Sequence, residues 1–252
     1  MALNGLGYVH FRQDRFEAAI SCYRRALARM DDPQFHLNLG LALLGQERFG
    51  QAEDEFRKAL ALAPDHYWAT NNLGYALQRQ GRRDEAETAY ARALRLGPPD
   101  LTTHYNAGRL LMDEQRFEEA SWVYTDALRR DGGSVEALAG LAHGLARQGR
   151  LPEALREAAM AVRLGPSYAA GWFALAEARY LGGDRRGGIE AGLQAVRLNP
   201  RSPIYQLALG KMLDQQSRFS EALSAYQTFL ALAPNDQEAP WARMMVRLLS
   251  ER

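Results

Sequence analysis

The chain has 252 residues, 47% of them hydrophobic and 24% charged, which is the composition of an ordinary folded protein. Lysine and arginine total 31 against 30 acidic residues, and the resulting net charge of +1 lacks the basic excess of a nucleic-acid binder. A single cysteine excludes an intrachain disulfide and a cysteine-based zinc site, and no apolar run nears the ~18 residues of a membrane span.

The opening MALNGLGYVHF has no basic stretch followed by an apolar one, so it does not read as a signal peptide. It reads as the middle of a helix, as if the chain began inside a repeat or had lost an upstream segment. The compartment therefore stays open: cytoplasmic by default, periplasmic if a leader has been removed. Lys58 and Lys211 are the only lysines, and the preference for arginine points to a GC-rich, bacterial genome.

A period of 34 residues runs along the chain. Ala52, Ala86, Ala120 and Ala154 keep that step. So do Pro64 and Pro98, then Pro166, Pro200 and Pro234, with Gly132 in the gap. A fixed period of this length means stacked copies of one small unit. The expected copies are 1–33, 33–66, 67–100, 101–134, 135–168, 169–202 and 203–236, with boundaries good to about two residues.

The copies read alike in chain order. The first carries Leu6, Gly7, Ala19, Tyr23 and Ala26; the second Leu39, Gly40, Leu43, Ala52, Phe56 and Ala59. In the third, apolar residues at Leu73, Ala76 and Leu77, then Ala86, Ala89, Tyr90, Ala93 and Leu94, predict two amphipathic helices, A and B. Gly81 is expected to end helix A in the left-handed conformation, and Pro98 and Pro99 to stop helix B. The fourth gives Gly108, Leu111, Ala120, Tyr124 and Ala127; the fifth Leu141, Ala142, Leu145, Ala154 and Ala161. The sixth gives Trp172, Leu175, Ala176 and Ala195; the seventh Leu209, Gly210, Leu213, Ala222 and Tyr226. Helix B of the sixth copy holds Gly187, Gly188 and Gly192 where alanine or an aromatic suits a helix better. At ~1 kcal/mol per glycine this copy is expected to open first; a tolerated defect and a hinge or partner contact are both open readings. Residues 237–252 place Trp241, Met244, Met245, Leu248 and Leu249 at helical spacing after Pro240, which predicts a capping helix, with a partner-binding helix as the alternative.

These residues resemble the tetratricopeptide repeat (TPR): large residues at positions 4 and 11, Leu-Gly at 7 and 8, alanine at 20 and 27, an aromatic at 24 and proline at 32. The likeness covers all but the last 16 residues. It implies an all-α fold, a right-handed superhelical solenoid with helix A lining the concave side. It also implies a non-enzymatic scaffold that binds a protein or peptide partner, without a cofactor.

On helix A, positions 2, 6, 9 and 13 share one face. Position 6 holds Asn38, Asn72 and Asn106. An asparagine side chain both donates and accepts, so it can bond the backbone of an extended peptide of any sequence. The row resembles the asparagine ladder of the O-linked N-acetylglucosamine transferase TPR region; family habit at this position is the other reading. The row ends with Gly140, Ala174 and Ala208. Arg79, Arg109 and Arg147, with Tyr75 and Tyr105, are candidates for carboxylate pairing or stacking. His143 lies on the same face. Ala139, Gly140 and Ala174 beside Phe173 and Tyr180 suggest an apolar hollow, or plain helix packing. Asn4 and Tyr8 stand where the chaperone-binding carboxylate clamp needs Lys and Asn, which argues against that mode.

The sequence lacks GxxxxGK[ST] and HExxH. His36 and His104 sit at packing position 4 and read as core residues, and Cys22 reads as a small buried hydrophobe. Three functions remain in view: a groove that holds a partner's extended segment, an assembly factor for a larger complex such as a bacterial pilus or secretion machine, and the recruiting region of a larger enzyme.

Overall fold

A computed structural model describes residues 2–97 and 100–251; the expected helix stop at Pro98 and Pro99 lies outside the described residues. These form fifteen α-helices and no strand: α1 (Ala2–Arg12), α2 (Phe16–Leu27), α3 (Pro33–Gly45), α4 (Phe49–Leu62), α5 (Tyr67–Arg79), α6 (Arg83–Arg95), α7 (Thr102–Asp113), α8 (Phe117–Arg130), α9 (Val135–Arg147), α10 (Leu151–Leu164), α11 (Ala169–Leu181), α12 (Arg185–Leu198), α13 (Pro203–Gln215), α14 (Phe219–Leu232) and α15 (Ala239–Ser250). They divide into two compact units, Met1–Leu110 and Leu111–Arg252. Each unit is an α-solenoid of helical hairpins.

The hairpin turns share one device. Asp14, Glu47, Gly81, Gln115, Gly149, Gly183 and Ser217 all have positive φ, between 55° and 94°. A left-handed residue follows each odd-numbered helix from α1 to α13 and reverses the chain. Gly81 behaves as the sequence suggests; four of the seven positions do it without glycine. The N-cap of the next helix is an arginine in every hairpin but the one that opens α12, where it is Asp184. Arg82, Arg116, Arg150 and Arg218 each grip the glutamate three residues on with two hydrogen bonds of 2.6–2.8 Å. The glutamates suit the positive helix end, and the guanidinium holds their carboxyls below the ordinary carboxylate range.

In unit 1 the odd and even helices meet by size matching. Tyr23, Phe56 and Tyr90 are at most 1% exposed, and their rings fill the space left by Gly7, Gly40 and Gly74. Glu53 of α4 ties the next hairpin on: it accepts from Arg57 (2.9 Å), Gln80 (2.9 Å) and Arg82 (2.7 Å). Burial alone would raise its carboxyl; those donors outweigh burial and hold it low. The histidine at position 4 of the second copy is buried as expected. His36 Nδ1 lies 2.6 Å from Glu55 and Nε2 2.7 Å from Asp31, which pins the α2–α3 turn to α4. His104 and Cys22 are buried as well.

In unit 2 the main core runs through Ala142, Ala158, Ala176, Ile189, Leu213 and Tyr226. α15 closes onto α14 through Phe229, Ala239 and Ala242, with the Trp241 ring edge-on to Tyr226 at 5.4 Å.

The three glycines of α12 require a correction. Asp184 caps this helix by accepting from the Gly187 amide at 2.9 Å, and a Cβ on Gly187 would collide with that carboxylate. A Cβ on Gly188 would lie 2.9 Å from the Tyr180 backbone nitrogen and 3.0 Å from the Ala176 carbonyl. Alanine does not serve better here: at Gly188 close backbone approach overrides helix propensity, and at Gly187 a methyl would displace the capping Asp184 carboxylate. Gly192 is less confined, with Leu209 Cδ1 at 3.3 Å.

Candidate functional site

The candidate residues of unit 1 lie on its odd-numbered helices. Asn38, Asn72 and Asn106, on α3, α5 and α7, are half-buried. Each commits one amide hydrogen within the chain. Asn38 Nδ2 donates to Asn4 Oδ1 at 2.9 Å, and Gln34 donates back to Asn38 Oδ1 at 3.0 Å. Asn72 donates to the Trp68 carbonyl one turn earlier at 2.7 Å. Asn106 donates to Asn71 Oδ1 at 3.3 Å, an oxygen that also takes the Thr103 hydroxyl at 3.0 Å. These bonds fix the amide planes. The second hydrogen of each amide is left for another acceptor.

Tyr75 and Arg79 form a unit beside them. The Arg79 guanidinium donates to the Tyr75 hydroxyl at 2.9 Å and sits 4.4 Å over the Phe49 ring, with Glu47 at 3.7 Å. Arg109 is exposed and Tyr105 half-buried on α7. Asn71, which organises Asn106, is buried and lies off the 2-6-9-13 face; its only signal in the sequence is that it adjoins Asn72.

In unit 2 the residues fall into two groups. Ala139 and Ala174 are 3% and 1% exposed, and a Cβ on Gly140 would run into the Tyr124 ring. This set is helix packing, not an apolar hollow. Phe173 is 6% exposed, stacked 4.7 Å from the Tyr205 ring, with the His143 ring edge-on at 5.3 Å. It supports the face more than it presents to it.

The second group is polar. The His143 Nε2 lies 3.3 Å from Glu177 Oε2, and their side chains are 22% and 13% exposed. Burial lowers the imidazole to about 4, with Arg147 adding to the effect. Burial raises the Glu177 carboxyl to about 7, with Arg147 pulling it back. Arg147 itself sits 5.0 Å over the Phe117 ring. The single hydrogen of the Tyr180 hydroxyl is shared between two acceptors, Gln215 Oε1 at 2.9 Å and the Met212 carbonyl at 3.2 Å, which holds the ring in place. Arg147, Glu177, Tyr180 and Met212 line a cavity of about 550 Å³. Position 9 of successive copies reads Tyr75, Arg109, His143, Glu177, Lys211, so Glu177 was within reach of the same face argument. Tyr205, at position 3, was not.

Among the described residues no group of three or more His, Cys, Asp or Glu side chains could hold a metal, and no helix is long and apolar enough to cross a membrane. What both units present is a row of side chains along the odd helices of stacked hairpins, a design for holding other macromolecules.

Family models agree. One tetratricopeptide repeat model matches residues 37–101, 105–169 and 173–237, and a second matches 1–65. The chain belongs to the tetratricopeptide repeat family, and it is a protein-interaction scaffold. No curated protein matches it in sequence. Among solved structures it resembles the Cut9–Hcn1 hetero-tetramer of the APC/C, at 17% identity and TM-score 0.74, over 90% of this chain and 45% of that one. It thus spans less than half of that relative. It also resembles YrrB, a TPR protein with an unusual peptide-binding site, at 21% identity and TM-score 0.60, over 74% of this chain and 96% of that one. PilW, a type IV pilus biogenesis factor, matches at 18% identity and TM-score 0.67, over 83% and 97%. At these identities the likeness is one of fold.

Proposed function

We propose that unit 1 holds an extended segment of a partner protein along α3, α5 and α7, with Asn38, Asn72 and Asn106 bonding its backbone and Arg79 and Arg109 reading its acidic or aromatic side chains. The observation that carries this reading is the state of the three amides. Each is half-buried, oriented by an internal bond, and retains one hydrogen. A pre-oriented donor loses less entropy on binding than a free one. YrrB, of the same fold, carries a peptide-binding site. Three hydrogen bonds at ~0.5–1.5 kcal/mol each give ~1.5–4.5 kcal/mol, so side-chain contacts must supply the rest of a useful affinity.

The test is selection of peptides from a displayed random library on the parent protein. Their binding is then compared on Asn38→Ala/Asn72→Ala/Asn106→Ala at matched helicity. A loss of about tenfold or more supports the reading. Selected peptides that bind both proteins equally show the amides to be family habit.

A second reading, assembly of a larger complex through the even-numbered helices, is favoured by Trp122 of α8. This side chain is 61% exposed on an even-numbered helix. A large exposed aromatic is characteristic of interface anchors. Trp122→Ala, with no effect on selected peptides but loss of co-assembling partners, would place function there.

A further inference from the structure

The cavity of unit 2 is not explained by a row of backbone-binding amides. It lies at the last turns of α9 and α11, lined also by Leu151, Leu181 and Met212, with Glu177 and Arg147 both on its wall. Its volume of about 550 Å³ is within the range of pockets that hold small groups, about 300–1,000 Å³.

We propose that this pocket receives the charged end of a lysine or arginine side chain from a bound segment, with Glu177 as the receiving carboxylate. The inference builds on the reading that partner segments lie along the odd helices, and extends it to unit 2. Three observations point to a cation. Glu177 Oε2 is buried and makes no hydrogen bond within the described chain, and the His143 Nε2 at 3.3 Å, held neutral by burial, brings it no positive charge. An entering ammonium or guanidinium supplies both, whereas an entering carboxylate would bury a second acid beside the first. The nearest arginine does not answer that need: Arg147 is drawn over Phe117 and makes no ion pair with Glu177 within the described chain. The pocket also sits at the C-terminal turns of α9 and α11, whose carbonyls carry partial negative charge, against one helix N-terminus, that of α10 at Leu151. The walls fit as well. Leu151, Leu181 and Met212 suit the methylene stem of a long basic side chain, and the aromatic Tyr180, anchored through its hydroxyl, also lines the pocket.

The experiment titrates the whole protein with Nα-acetyl-arginine amide and Nα-acetyl-lysine amide. The methyl NMR signals of Leu151, Leu181 and Met212 are followed. The neutral isostere Nα-acetyl-citrulline amide and the acidic Nα-acetyl-glutamate amide are the controls. The expected result is saturable shifts with the two cations in the millimolar range, at least tenfold weaker binding of citrulline, and a similar loss for the arginine probe on Glu177→Gln. Asn38→Ala/Asn72→Ala/Asn106→Ala should leave the titration unchanged, so failure of the unit 1 reading and failure of this one are read separately. Equal binding of arginine and citrulline, tighter binding of the glutamate probe, or no shift with either cation overturns the proposal. The citrulline comparison uses the parent protein alone and so stands even if the Glu177 variant misfolds.

Discussion

A Cβ on Gly74 would lie 2.8 Å from the Tyr90 ring, so these two residues occupy one space between α5 and α6. The relation recurs at Gly7 with Tyr23, Gly40 with Phe56 and Gly210 with Tyr226. Where the aromatic gives way to Ala158 and Gly192, the partner position enlarges to Ala142 and Ala176. The volume is shared within each hairpin and not assigned residue by residue. Gly74→Ala should therefore destabilise by ~1–3 kcal/mol despite its better helix propensity, because Tyr90 is 1% exposed and has nowhere to go. Tyr90→Ala should cost ~3–5 kcal/mol. The double variant should cost clearly less than the two added together, as measured by urea denaturation. Strict additivity would show that the two side chains do not share the space.

The glycines of α12 separate packing from propensity. Gly188→Ala places a methyl against the backbone of α11 and should cost ~1–3 kcal/mol. Gly192→Ala meets only the flexible end of Leu209 and gains up to ~1 kcal/mol of helix propensity, so it should be near neutral. Thermal melts of the two variants decide the point. Stabilisation by both would restore the view of α12 as a merely weak helix.

Period and size alternation are properties of the chain itself, which is why the hairpins, the small-large matching and the burial of His36 could be read from residues alone. The candidate site was less legible. Positions 2, 6, 9 and 13 select one face of each odd-numbered helix, but a face says nothing of what its side chains already bond. Asn38 is engaged by Asn4, thirty-four residues away, and Asn106 by the buried Asn71. Glu177 lay on the selected face without standing out, because what distinguishes it is its enclosure, and enclosure comes from three helices. Position places Phe173 beside an apolar hollow or in plain helix packing, and Tyr205, off the face, stacks on it at 4.7 Å.

Ser217 ends α13 at φ 58°, is exposed, and stands where Gly81, Gly149 and Gly183 do the same work. A side chain in the left-handed region costs roughly 1–2 kcal/mol, partly offset by the extra freedom glycine has when unfolded. Ser217→Gly should raise stability by about 0.5–1 kcal/mol, seen as a higher urea midpoint with an unchanged slope. Glu47 is the poorer choice for this test, since its carboxylate lies 3.7 Å from Arg79.

His143 and Glu177 make a prediction about pH in which two slopes oppose. A carboxyl raised to about 7 in the fold keeps a proton that the unfolded chain has lost above its ordinary range, so it makes stability fall as pH rises between about 4.5 and 7. An imidazole lowered to about 4 stays neutral in the fold while the unfolded chain takes up a proton below about 6.5, so it makes stability rise with pH over about 4 to 6.5. Across their shared window the two nearly cancel: folding moves a proton from the histidine to the glutamate, with Arg147 acting on both. Glu177→Gln should expose the histidine alone, with urea midpoints that climb from pH 5 to 6.5. His143→Gln should expose the glutamate alone, with midpoints that fall over the same range. The parent should change less than either variant. If both variants keep the parent's profile, neither group changes its proton affinity on folding, and burial does not govern this pair.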